Sequence, residues 1–263
     1  MRSTEELAHS ARDLVLATSA RTSTPHLSSS LSVLDILVCL GADGLSENGE
    51  AREIYLSKGH ASLGMYASMV ALGKLPAEVL DTYCSDGSFF EGHVNSKIPG
   101  IPLSTGSLGH AAAFAVGRGI GDLRSGSDRQ HWVVLSDGEL DEGSNWEAFL
   151  IASHRKLPNI HFAVDRNGVQ SLGSTEETSS LEPLASKLSA FGLKVLEVDG
   201  HNHDNLKQAI SDSESEGAPT VMIAHTTKGF GLKEIQESAV LYHYKPATQA
   251  LVDQFRSQNG VAS

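Results

Sequence analysis

Leu7, Ala11, Leu14, Val15 and Thr18 recur at helical spacing, and Ser3 with Glu6 forms a capping-box pair, so the chain is expected to open with an amphipathic helix. Further helices fit 31–40 and 61–72, separated by a short strand at 53–57. From residue 109 the run GHAAAFAVGRGIG keeps a helical period but carries Gly117, Gly119 and Gly121. Each glycine lowers helix propensity, so a neighbour packed very close is the expected reason for them.

The rhythm then changes. HWVVLSDG and IHFAVDRNG are short, continuously apolar runs, LKVLEV and TVMIAHT read as two further strands, and helices fit 145–156, 181–191 and 206–215 between them. Runs of that kind are strands buried on both faces. Strands alternating with helices imply right-handed βαβ crossovers, hence an α/β fold with a mostly parallel sheet covered by helices on both faces. No repeat or linker divides the sequence, so residues 1–263 read as one domain with a less regular tail from about 228.

Ligands of such sheets lie at the carboxyl ends of the strands, which singles out Asp137, Asn167 and His225. Asp137 offers a carboxylate, Asn167 an amide oxygen, and the turn past Gly168 the carbonyl of Val169. Hard oxygens of this sort suit Mg²⁺ or Ca²⁺, which would complete its shell with diphosphate oxygens and water. Gly138 lets backbone approach a phosphate, and the helix that follows can aim its N-terminus at the anion. Taken singly, SDG and DRNG are ordinary turns; at consecutive strand ends, one helix apart, they favour a cation site.

A formal net charge of -12 and a pI near 5.4 exclude broad contact with nucleic acid, which needs clustered Lys and Arg. A polyanionic ligand must therefore be held locally. Cys39 and Cys84 stand far apart, in no metal-ligand spacing, and predict reduced thiols. The N-terminus carries Glu5, Glu6 and Asp13 where a signal peptide would be basic and then apolar. With no apolar run near about 18 residues, no membrane contact and a cytoplasmic location are expected.

SDGELDEGSNWEA at 136–148, LSKGHAS at 56–62 and STGSLGHAAAFAVG at 104–117 occur in the sequence as separate motifs. With the Asp-to-Asn spacing, they make the sequence resemble thiamine-diphosphate enzymes, and most closely the N-terminal, diphosphate-binding domain of transketolase, over nearly its whole length. The resemblance implies the thiamine-diphosphate-binding fold, with Asp137, Asn167 and the Val169 carbonyl on the metal. It also implies cofactor contacts from His60, Gly106, Ser107, Leu108, Asp137, Gly138, Glu139, Asn167 and His243. His26, His60, His93 and His243 would be the catalytic histidines around the sugar, since imidazole both donates to and accepts from hydroxyls. Glu142 and Glu147 would lie at a subunit interface and help connect paired active sites.

Departures from the family pattern are Ser136 in place of a glycine, Arg166, which is expected to be solvated, and the TPHLSSSLS loop around His26. His110, His154, His161, His201 and His203 match no chemical pattern and are assigned to surface or packing. The implied activity is transfer of a two-carbon ketol unit from a ketose phosphate. In the family, the glutamate that activates the coenzyme and the ring that stacks on its pyrimidine come from a second domain. A separately encoded pyrimidine-binding subunit of the transketolase C-terminal type, in an α2β2 assembly, is therefore expected. Alternatives are transfer to a lipoyl or carrier-protein thiol, decarboxylation of a 2-oxo acid, and a non-catalytic scaffold that binds the cofactor.

Overall fold

The computed structural model describes residues 2–44 and 52–260. Helix α1 (Thr4–Thr22) starts at the predicted box: Ser3 Oγ accepts from the Glu6 N–H, and the Glu6 carboxylate accepts from the Ser3 N–H. Helix α2 (Leu27–Gly44) is longer than its apolar run suggests, strand β1 (Arg52–Leu56) follows, and α3 is Ser62–Ala71. After a long loop come α4 (Ala111–Ser125), β2 (Gln130–Ser136), α5 (Gly143–His154) and β3 (Ile160–Arg166). The rest is α6 (Thr175–Thr178), α7 (Leu184–Ala190), β4 (Lys194–Asp199), α8 (His203–Ser215) and β5 (Thr220–His225). The tail is more regular than its sequence indicates. It holds the short helices α9 (Lys233–Glu237) and α10 (Leu241–Tyr244) and ends in the amphipathic α11 (Gln249–Asn259), whose Leu251, Val252 and Phe255 are buried.

All five strands are parallel, in the order β1-β2-β3-β5-β4. Alternate residues of one strand enter different cores: Trp132 and Val134 pack with α1, α2 and α3, whereas Val133 and Leu135 pack with α4, α5 and α7. Burial on both faces is why the β2 and β3 runs are apolar without interruption, whereas β4, at the end of the strand order, is partly exposed and carries Lys194 and Glu197. Because the strands are parallel and in register, with Ser136 beside Asp165 and Arg166 beside His225, the loops after β1, β2, β3 and β5 share one rim.

The glycines of α4 divide. A Cβ at Gly119 would meet Ile160 Cδ1 at 2.5 Å, which is the predicted close approach, but a Cβ at Gly117 or Gly121 would meet nothing within 4 Å among the described residues outside its own helix turn. The expected tight contact holds for one of the three only. The other two line a shallow surface pocket with the exposed Phe114, and on the neighbouring α5 Leu150 and Ile151 are exposed as well.

Candidate functional site

β2 and β3 deliver Asp137 and Asn167 side by side at the rim. Asp137 is 1% exposed. Its Oδ1 accepts from the Gly138 N–H at 2.8 Å, and its Oδ2 from the Gly168 N–H at 2.6 Å and from Arg166 Nη1 at 3.2 Å. Asn167 Oδ1 accepts from the Val169 N–H at 3.2 Å, folding the turn so that the Val169 carbonyl joins the same cleft. Gly168, at φ +76°, supplies the left-handed bend. Ser136 ends β2 with no positive φ, so the missing glycine leaves the strand end unstrained.

Arg166 is not solvated, contrary to expectation. Its side chain is 9% exposed, with the guanidinium paired with Asp137, Glu176 and Glu182 and donating to Thr175 Oγ1. Strand alternation turns the side chain toward a wall of acidic groups that the sequence leaves ten and sixteen positions away.

Two lysines dominate the electrostatics, and the motifs single out neither. Lys58, inside the SKGH motif, is 1% exposed and ion-paired with the fully buried Asp165. Lys228, the first residue of KGFG, donates from Nζ to the Val169 carbonyl at 2.7 Å. Burial, then the Lys58 charge, brings its ammonium down to about 8. Burial, then the charge of Asp165, pushes the Asp137 carboxyl up. Burial alone would do the same to Asp165, but Lys58 and the hydroxyls of Ser32 and Thr226 hold its carboxyl low. The signal available in the sequence is position, since each lysine sits close to a motif histidine or glycine just past a strand end.

The four predicted histidines do converge. Ring centroids of His26 lie 5.3 Å from His60, 6.2 Å from His93 and 4.8 Å from His243, with His60 and His243 5.6 Å apart. His26 has φ +65° and donates its N–H to the His243 carbonyl at 2.9 Å, so the altered loop still brings its ring to the cluster. His243 is hydrogen-bonded to Ser29 and, at 3.4 Å, to Ser171.

Other predicted residues are placed less uniformly. Leu108 lines the cleft beside Gly138, Gly106 lies against the His93 ring, and Ser107 is exposed. Glu139 is buried with its carboxylate turned inward, accepting from Ser57, the Gly109 N–H and the Ser136 N–H; it pins the rim together. Glu142 and Glu147 are exposed, and Glu142 packs its Cβ within 2.7 Å of where a side chain at Gly109 would begin. His225, selected by the strand-end rule, is exposed at the carboxyl end of β5 and bonded to Glu197. His201 and His203 both contact the buried Asp35, so both are more than surface groups.

Burial, then the lysine charges, lowers His60 well below the ordinary imidazole value and His243 to about 3. In the unfolded chain both would take up a proton near pH ~6.5. Their contribution to stability is therefore complete above that pH and is lost as pH falls below it. The loss should reach about 1 kcal/mol per ring between roughly pH 6.5 and 5.5, less what solvent at the rim screens. Thermal melts of His60→Asn/His243→Asn should show a shallower decline over that interval; an unchanged slope would mean that the rings protonate freely in the fold.

The oxygen set of Asp137, Asn167 and Val169 fits a hard cation. It joins one carboxylate to an amide and a carbonyl, and among the described residues no group of three or more His, Cys, Asp or Glu gathers as a softer metal site. A buried carboxyl pushed up by burial and a like charge is one that a nearby cation relieves. The cleft itself encloses about 60 Å³, well short of the several hundred cubic ångströms of a site that buries a whole coenzyme. A cavity of about 470 Å³ beside Met65 and Met69 is lined largely by apolar groups and lies away from these residues.

The family described as "Transketolase, thiamine diphosphate binding domain" matches residues 5–263. A protein of Actinobacillus succinogenes, named as one of the subunits of apulose-4-phosphate transketolase, is 38% identical over 228 residues, 84% of this chain and 83% of that protein. The 6-deoxy-6-sulfo-D-fructose transketolase subunit SqwG of a Clostridium species is 33% identical over 84% and 83% of the two chains. The crystal structure of transketolase from Campylobacter jejuni superimposes with a TM-score of 0.88 at 26% identity, covering 99% of this chain and 43% of that one. This chain thus spans less than half the length of that transketolase.

Proposed function

The chain belongs to the transketolase family as a thiamine diphosphate-binding subunit, and from that premise we propose that it grips the coenzyme's diphosphate through Mg²⁺ or Ca²⁺ and works with a separately encoded pyrimidine-binding subunit. The reaction is transfer of a two-carbon ketol unit from a ketose phosphate. The observation that carries this reading is the meeting of the Asp137 carboxylate, the Asn167 amide and the Val169 carbonyl at the ends of adjacent strands, with Lys228 in the same cleft.

When bound, thiamine diphosphate supplies the electron sink for breaking the carbon–carbon bond next to the donor's carbonyl. This chain's residues set the conditions. Asp137, Asn167 and Val169 would hold the cation, Gly138 would leave room for phosphate oxygens, and Lys228 would add a positive charge beside them. His60 and His243 are kept neutral, so the His60 ring can meet a sugar hydroxyl as donor or acceptor, and His243, tied to Ser29 through Nδ1, would reach one through Nε2 in place of its long contact with Ser171. With His26 and His93 they form a polar rim for a polyol donor, which favours a ketose over a 2-oxo acid. Two relatives are named for sugar substrates, an apulose phosphate and a sulfo-deoxyfructose, so a ketose with a terminal anion is the donor class we assign.

Gly117 and Gly121, where an added Cβ would meet no described residue beyond its own helix turn, and the exposed Phe114, Leu150 and Ile151 support a protein partner on α4 and α5, in an α2β2 assembly. Exposed Glu142 and Glu147 would border that contact. Among the described residues no helix is long and apolar enough to cross a membrane.

Calorimetry of magnesium thiamine diphosphate with the assembled complex tests the reading. Asp137→Asn and Asn167→Ala should each weaken uptake by about 10–100-fold or more, the range typical of disturbed metal shells. Uptake unchanged in Asp137→Asn would leave a scaffold as the better description.

A further inference from the structure

We infer that His201, oriented by Asp35, is a positioning residue that sets Lys228 in the diphosphate cleft, an inference that rests on Lys228 facing that anion. No motif gives His201 a role. It follows β4 on the far side of β5, and its ring reaches across to the turn that carries Lys228.

His201 Nε2 accepts the Thr227 N–H at 2.8 Å, so that nitrogen carries no proton. The proton is then on Nδ1, which donates to Asp35 Oδ2 at 2.7 Å. The ring is therefore a neutral, single tautomer, with its acceptor on the backbone one residue before Lys228. It also lies flat on Phe230, centroids 3.6 Å apart and planes 10° from parallel. Arg12, the third group on Asp35 besides His201 and His203, covers the same Phe230 ring at 4.8 Å.

One buried carboxylate thus organises a clamp around residues 227–230. The turn is tied at two further points: the Gly229 N–H donates to the Ser28 carbonyl at 3.0 Å, and the Phe230 N–H to that of Thr227 at 3.1 Å. A side chain at Gly231, with φ +114°, would sit 3.0 Å from Arg12 Cδ. From this clamped turn Lys228 extends to Val169. A long lysine on a loose turn would lose its placement to side-chain and backbone entropy; the clamp removes that freedom.

The test is a double-mutant cycle read by binding of magnesium thiamine diphosphate to the chain with its partner subunit. His201→Leu should weaken binding by about 10-fold in the presence of Lys228, and by less than about 2-fold in a Lys228→Met background, because the two act through one contact. His201→Gln, whose amide oxygen can take the place of Nε2 as acceptor of the Thr227 N–H, should recover part of the loss. Equal weakening in both backgrounds overturns the inference, since His201 would then act without Lys228. So does failure of Gln to rescue. If Lys228→Met binds like the wild type, the role given to Lys228 is wrong. If the wild-type complex takes up no coenzyme, the functional reading itself falls.

Discussion

Purified alone, the chain should turn over no ketose phosphate, and activity should rise as a pyrimidine-binding subunit is titrated in and level off at equal proportions. The physical ground is a site with one side open. The rim encloses about 60 Å³ around Asp137, Asn167 and Val169, so most of a coenzyme would have to rest on another surface. The histidines line one wall, with His93 exposed. Solved transketolase is more than twice as long, and this chain covers 43% of it; related chains are named as subunits. Phe114 of α4 and Leu150 and Ile151 of α5 are 41%, 57% and 47% exposed, large apolar side chains of the kind that protein contacts cover. Leu150→Asp or Phe114→Asp would bury an unpaired charge at that contact, and should raise the partner concentration needed for half-maximal activity by about tenfold or more. Full turnover by the chain alone would defeat the two-subunit reading.

Strand runs, crossovers and the first helix can be read in the sequence because each rests on a local rule: HWVVLS and IHFAVD have no polar face because they have no wet one. Asp137 and Asn167 are legible for the same reason, as turns follow strands and the strand order makes neighbours of consecutive ends. What escapes is distance. Nothing within LSKGHAS says that Lys58 will meet Asp165, more than a hundred positions on, and Arg166 reads as a surface charge until Glu176 and Glu182 fold back on it. The tail from residue 228 looks irregular because its first helices are only five and four residues long, too short to show a period. Helix α11 does have one, but its Leu251, Val252 and Phe255 are easily lost among polar neighbours.

The other large effect is on folding. Asp165→Ala should destabilise the chain by about 3–5 kcal/mol, the usual cost of stranding one member of a buried ion pair, which is a large share of the roughly 5–15 kcal/mol that holds a typical domain folded. Asp165 is fully buried and accepts from Ser32 Oγ at 2.6 Å, from Thr226 Oγ1 and from Lys58, itself 1% exposed. Removing the carboxylate leaves an ammonium with no countercharge in contact and the Thr226 hydroxyl short of its acceptor, while Ser32 Oγ keeps the Ser29 carbonyl at 3.2 Å. Lys58→Met/Asp165→Ala should recover a large part of that loss in a denaturant melt, because the penalty comes from the lone charge and not from the missing pair. Glu139, close enough for Lys58 to favour its charged form, can take up a proton when Lys58 is gone. If the double variant is as unstable as the sum of the singles, Lys58 and Asp165 contribute separately and the argument fails. If it recovers, the pair adds little net stability, and its worth lies in placement. Thr226 bonds Asp165 two residues before Lys228, and Lys58 precedes His60 by two, so the same buried carboxylate anchors the cation of one cleft wall and the imidazole of the other.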